Sequence, residues 1–213
     1  ALPILMIVGR FSQASEVSAV STGSWIMQTI TTAIVGLSMG TTILLGRRIG
    51  EKQPEEAGRV AGAGIWLFAW IGIVVTVVMQ FLAVPAAGWM RAPMEAFDST
   101  ASYVRICSAG AVFIVAYNVM GSIFRGLGNS RIPLISVSIA CLVNIAGDLL
   151  LVGALGMASA GAAIATVFAQ VVSVVLSFAI IRKQELPFVF DRKSIRWNRP
   201  LVRHIVKLGF PIA

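Results

Sequence analysis

The chain has 213 residues, 57% of them hydrophobic and only 12% charged, at a mean hydropathy of +0.88; this excludes an ordinary water-soluble domain, which needs more charge to cover its surface. Seventeen Lys and Arg stand against nine Asp and Glu, a formal net charge of +8. Such an excess suits either nucleic-acid binding or the cytoplasmic loops of a membrane protein, and the positions of the charges decide between them.

Residues 1–8 form an apolar stub too short to span a bilayer, without an initiator Met or the basic start of a secretory signal. Thirty uncharged residues then separate Glu16 from Arg47, and thirty-one separate Arg59 from Arg91. Each run exceeds the roughly 20 residues that cross a hydrocarbon core. Nineteen more run from Ile106 to Phe124, and the fifty from Ile132 to Ile181 hold one charge, Asp148. Fifty residues make two spans, with Gly153, Ala154, Leu155 and Gly156 as turn. The expected spans are therefore 18–45, 60–85, 104–124, 132–153 and 158–181. The fold class is all-α, a polytopic membrane helix bundle. The apolar stretch 205–213, with Lys207 inside it, stops after nine residues, so both ends read as cut from a larger membrane protein.

In the first span, Gly36-Leu37-Ser38-Met39-Gly40 fits the written pattern of a serine-hydrolase elbow. That chemistry needs a strand-turn-helix with a His and an acid nearby, whereas the only histidine, His204, lies in a basic loop. Small residues four apart in a membrane helix favour close packing instead. Trp66, Trp70, Trp89 and Trp197 read as interfacial anchors. Cys107 and Cys141 lie inside spans without CxxC spacing or clustered His, so neither a disulfide nor a metal site is indicated, and both read as small packing residues. Gln28, Tyr117 and Asn118 are polar groups within spans that read either as facing a cavity or, more simply, as packed or bonded to backbone. The stretch Arg125-Gly126-Leu127-Gly128-Asn129-Ser130-Arg131 follows no strand, so it reads as a tight turn and not a dinucleotide fingerprint.

Asp148 stands apart. A charge at the middle of a membrane helix costs roughly 2.5 to 3.5 kcal/mol on insertion scales. Asn144 lies one turn earlier on the same helical face. Reflecting the hairpin about Met157 carries Asp148, nine residues before it, onto Thr166, nine after. At about 1.5 Å per residue both are roughly 13 to 14 Å from the turn, near mid-membrane. A carboxylate, an amide oxygen and a hydroxyl at one depth suit a hard monovalent cation. They equally suit a proton, because loss of water disfavours a charged carboxylate. A third reading is that Asp148 only bonds a neighbour and holds helices together. A second embedded acid, which an intramembrane aspartyl protease would need, is missing.

Fourteen of the seventeen Lys and Arg fall in the loops around 46–59, 124–131 and 182–207, and the alternate loops hold only Arg10, Arg91 and Arg105. The positive-inside rule makes the fourteen-residue side cytoplasmic. The charge excess is thus a topology signal, and no nucleic-acid partner is expected. Residues 195–207 mix Ile, Trp, Leu and Val with five basic residues, His204 included. That stretch reads either as a surface resting on anionic lipid or as a solvated linker that sets orientation.

The order of three motifs resembles a known family: Arg125 through Pro133, then Asn144-Ile145-Ala146-Gly147-Asp148, then Gly161-Ala162-Ala163-Ile164-Ala165-Thr166. Val8-Gly9-Arg10, the Gly36–Gly40 motif and Gly46-Arg47-Arg48-Ile49-Gly50 fit the earlier part of the same pattern. The family is that of the multidrug and toxic compound extrusion (MATE) transporters. The resemblance implies one six-helix lobe of a two-lobe (6+6) transporter, truncated at both ends. Residues 1–181 would be the N-terminal lobe, 182–204 the basic cytoplasmic loop between lobes, and 205–213 the start of the seventh helix. The family's cation site falls on Asn144 and Asp148 of the fifth helix and Thr166 of the sixth. Its further acid, five residues before the Gly of the Val-Gly motif, falls on Ile4, and loss of that carboxylate would weaken Na+ binding or shift coupling toward H+.

The implied activity is secondary active multidrug efflux, in which organic cations or other drugs are exchanged for Na+ or H+ by alternating access. The protein is then no enzyme and has no cofactor beyond the coupling ion. Its partners are a small-molecule drug and membrane lipid, and the full-length protein is expected as a monomer in the bacterial inner membrane. Two rivals remain. A flippase of the same superfamily moving a lipid-linked precursor would want a cationic cavity, yet the spans hold almost no basic residues. A non-transporting membrane scaffold would show no response to Na+ or pH.

Overall fold

The computed structural model describes residues 2–183, 195 and 197–212, and within them the ordered elements are all helical. They are α1 (Leu2–Phe11), α2 (Ala14–Gly50), α3 (Pro54–Trp89), α4 (Phe97–Ala109), α5 (Ala111–Gly126), α6 (Arg131–Asp148), α7 (Ala158–Lys183) and α8 (Arg199–Gly209). A 3-10 turn, Met94–Ala96, leads into α4, a π turn, Leu149–Ala154, continues α6, and a second 3-10 turn, Phe210–Ile212, follows α8. The expected residues 184–194 and 196 of the basic loop lie outside the described residues.

Among the described residues, four helices are long and apolar enough to cross a membrane: α2, α3, α6 with its π turn, and α7. The third expected span, 104–124, is not one straight helix. It is α4 and α5, bent by 51° at the break, and the pair counts as a fifth span only if taken together. The cause is local. Gly110 caps α4, and a Cβ there would come within 2.6 Å of both Val167 methyls, so α7 packs into the space a side chain would fill.

The helices also outrun the uncharged windows, because a helix does not end where hydrocarbon ends. At 37 residues, α2 is about 55 Å long. It closes in a tight turn in which Gln53 N donates to Arg48 O at 3.0 Å while Lys52 adopts a positive φ of 56°. Pro54 opens α3, where its missing N–H goes unneeded and its fixed φ suits a helix, and Glu55 and Glu56 follow in the first turn, where the helix dipole favours negative charge. The tight turn expected over residues 125–131 is present: Gly128 has φ 75°, Asn129 N donates to Phe124 O at 2.9 Å, and Asn129 Oδ1 accepts from Arg131 N and Ile132 N at 3.2 and 3.3 Å.

The chain divides into two compact units. The first comprises residues 1–30, 73–113 and 138–172. Here Glu16 of α2 accepts from Ser99 Oγ of α4 at 2.8 Å and from Ser159 N at the start of α7 at 3.0 Å, and Gln80 Nε2 of α3 donates to Arg105 O at 3.0 Å. The second comprises residues 31–72, 114–137 and 173–213. Here Ser122 Oγ of α5 is 2.7 Å from Ser38 Oγ of α2, Thr42 Oγ1 donates to Ser122 O at 3.0 Å, and Ser177 Oγ of α7 is 3.2 Å from Ser136 Oγ of α6. Such small hydroxyl and glycine contacts suit packing in lipid, where apolar side chains gain little by leaving their surroundings. On α3, Ile73, Val74, Val77, Val78 and Phe81 are exposed along one stripe, which reads as a lipid-facing surface.

Ser38 is fully buried and its hydroxyl donates to Val35 O at 2.8 Å, consistent with packing and not with a nucleophile. Asn118 Nδ2 donates to Ile114 O at 2.7 Å and Tyr117 OH to Pro133 O at 3.3 Å, so these two are bonded to backbone as expected. Cys107 is buried, but Cys141 is exposed on the outside of α6, so only the first is a packing residue. Trp66 is more than an interfacial anchor, since its ring lies 4.8 Å from that of Trp197 across a tertiary contact.

Candidate functional site

Asp148 is the last residue of α6 before the π turn. Its side chain is fully buried, and neither Oδ1 nor Oδ2 has a hydrogen-bond partner among the described residues. One turn earlier, Asn144 Nδ2 donates to Thr166 Oγ1 of α7 at 3.4 Å, a long bond that leaves its Oδ1 outside the contact. Thr166 Oγ1 donates in turn to Ala162 O at 2.9 Å. Gly147 permits the close approach of α6 to α7: a Cβ there would sit 2.9 Å from that of Ala165.

These contacts correct the depth argument. Reflection about Met157 paired Asp148 with Thr166, yet the structure pairs Asn144 with Thr166, Gly147 with Ala165 and Leu151 with Gly161. The hairpin is centred a residue or two earlier, and Asp148 lies a turn nearer its tip than Thr166's partner does. The physical reason is the π turn Leu149–Ala154, whose wider winding breaks the symmetry that a mirror of two regular helices assumes. Asn144 and Thr166 are thus brought into contact, and Asp148 adjoins them along α6 without a direct bond to either.

Tyr103 is a neighbour that the sequence did not single out. It is 3% exposed, its hydroxyl lies 3.1 Å from Ser24 Oγ of α2, and it also faces Thr166 and the Cys107 thiol. Two hydrogen-bonded pairs, Ser24 with Tyr103 from α2 and α4 and Asn144 with Thr166 from α6 and α7, therefore lie near one another, the second one turn from Asp148. Ile4, where the resemblance expects a second carboxylate, is buried in α1 and offers no oxygen.

Among the described residues no three His, Cys, Asp or Glu gather as a metal-binding group. One carboxylate with an amide and a hydroxyl supplies oxygens without the charge a divalent ion demands, which fits a monovalent cation or a proton. The two orphaned oxygens of Asp148 meet that description, since a buried carboxylate without donors is costly as a bare anion.

The MatE family profile matches residues 2–150. The chain is 26% identical over 97% of its length to the "Probable multidrug resistance protein YoeA" of Bacillus subtilis, covering 46% of that protein. It superposes at a TM-score of 0.90 and 26% identity on an inward-facing multidrug resistance MATE family transporter of the MOP superfamily, over 98% of this chain and 47% of that one. A crystal structure of MATE in complex with MaD3S matches at a TM-score of 0.89 and 26% identity, over 99% of this chain and 48% of that one. The alignment falls on the N-terminal half of full-length relatives, and the chain spans about half their length.

Proposed function

The chain belongs to the MatE family, whose members are transporters and not enzymes, and we propose that the full-length protein exports organic cations and other drugs in exchange for Na+ or H+ by alternating access. In this reading residues 1–181 are the N-terminal lobe, 182–204 the cytoplasmic loop between lobes and 205–213 the start of the next helix, although α8 already opens at Arg199 within the expected loop. The protein sits in the bacterial inner membrane with its basic loops in the cytoplasm. The names of its relatives as multidrug resistance proteins support the substrate class.

The observation that carries the coupling role is the burial of Asp148 with both oxygens unpaired. Asp148 takes the ion, Asn144 and Thr166 complete the oxygen set, and Tyr103 orients Thr166 from α4. A carboxylate without a counter-charge is stable out of water only when a proton or cation neutralises it. Loading and unloading that charge therefore changes how tightly α6 and α7 can pack around it. If the ion binds the two conformations unequally, its binding biases the transporter between them, and a drug that prefers the other conformation is then held less tightly.

The experiment is ion-driven efflux of a fluorescent cation from vesicles holding the full-length protein. Asp148→Asn should abolish efflux under an imposed Na+ or pH gradient while membrane insertion is retained. Undiminished efflux by that variant would sink the assignment. Imposing the two gradients separately on the wild-type protein identifies the coupling ion, because only one will drive transport.

A further inference from the structure

The described residues of the basic stretch form a helix whose two sides differ sharply. Asn198 caps α8, its Oδ1 accepting from Leu201 N at 3.3 Å, and Pro200 stands in the first turn. One side is fixed to α2: Val202, Ile205 and Gly209 are buried, Gly40 abuts the Ile205 carbonyl, and Gly209 abuts that of Leu37. A side chain at either glycine would collide with backbone, so the rotation of α8 is set by this contact.

That rotation turns Arg199, Arg203 and Lys207 outward. Spaced four apart, they form one stripe, and all three are exposed. No acidic residue occurs from 195 to 212, and none of the three is ion-paired among the described residues. Three other loop cations are held: Arg47 and Arg48 both pair with Glu51, and Arg59 pairs with Glu56. Trp197 and Phe210 close the stripe at its two ends, 52% and 74% exposed, and with the three cations they line a groove of ≈ 730 Å³. The contact of Trp197 with Trp66 leaves half of the Trp197 ring exposed, and a solvated linker has no use for an exposed ring surface at each end of a cationic groove. Basic side chains flanked by apolar rings are what a phospholipid presents a match for: an anionic headgroup with hydrocarbon beside it.

We propose that the outer face of α8 is a binding site for an anionic phospholipid of the cytoplasmic leaflet, with its phosphate on Arg199, Arg203 and Lys207 and its apolar part against Trp197 and Phe210. The two guanidinium groups engage phosphate oxygens in pairs, and the ammonium adds a point charge. Because α8 is locked to α2 through Gly40 and Gly209, a lipid held there fastens the cytoplasmic end of α2 to the membrane surface.

The test titrates the full-length protein in detergent with phosphatidylglycerol or phosphatidylcholine and reads bound lipid by native mass spectrometry. Phosphatidylglycerol should be retained in preference to phosphatidylcholine. Each cation removed should weaken it roughly fivefold, and the triple variant Arg199→Gln, Arg203→Gln, Lys207→Gln roughly a hundredfold, with phosphatidylcholine unaffected. If the triple variant does not fold, Arg203→Gln alone must show the single-site loss, and Arg203→Lys must keep most of the affinity. Equal retention of both lipids, or unchanged phosphatidylglycerol binding in the variants, overturns the proposal. So does displacement by inorganic phosphate at matched concentration, which would mark a soluble-anion site. A flat titration, as expected if the rest of the protein covers the groove, overturns it equally.

Discussion

Asp148 was legible from its position as the one charge among fifty residues, and Asn144 followed from helical spacing. Tyr103 was not legible, for two reasons. It falls one residue short of the window 104–124, where Asp98 and Arg105 interrupt the apolar run. Its partner Ser24 is 79 residues away, so no local pattern joins them. Tyr103→Phe tests what that hydroxyl does. It removes a buried hydrogen-bonding group from between Ser24 and Thr166 and should cost about 0.5–1.5 kcal/mol, read as a lowered thermal midpoint of the full-length protein. If Tyr103 also positions Thr166 for the ion, the rise in thermal midpoint produced by the coupling ion should shrink in the variant. An ion response as large as in the wild-type protein would leave Tyr103 a packing residue only.

The spans could be read as elements because charges in lipid are costly, so stretches without them mark the hydrocarbon. What could not be read was anything set by a neighbouring helix. The bend between α4 and α5 depends on Val167, 57 residues beyond Gly110, and the hairpin register depends on a π turn whose residues look like any apolar helix. If Val167 occupying the place of a side chain is what permits the bend, Gly110→Ala should destabilise by about 1–3 kcal/mol, the usual cost of overpacking. Adding Val167→Ala should recover part of that loss, because the two changes meet at one contact and should not be additive. Additive losses in a thermal or denaturant series would show that the bend has another cause.

Across the whole molecule, the charge map and the packing agree in a way neither alone required. The compact unit built from residues 31–72, 114–137 and 173–213 carries fourteen of the seventeen Lys and Arg, and the unit built from 1–30, 73–113 and 138–172 carries three. Segregation this complete is a topology signal, since translocating Lys and Arg near a span is disfavoured. On that signal Lys52, before α3, is expected on the cytoplasmic side and Met94, after α3, on the external side, with one span between them. Replacing Cys107 and Cys141 by Ala leaves no native thiol in this chain, the two being its only cysteines. In the full-length protein on such a background, cleared of any thiol elsewhere, Met94→Cys should react with a membrane-impermeant maleimide in intact spheroplasts, its side chain being 96% exposed. Lys52→Cys should react only after permeabilisation. The opposite pattern would invert the protein in the membrane, put the basic loops and α8 outside, and remove the cytoplasmic leaflet as the source of lipid for the groove.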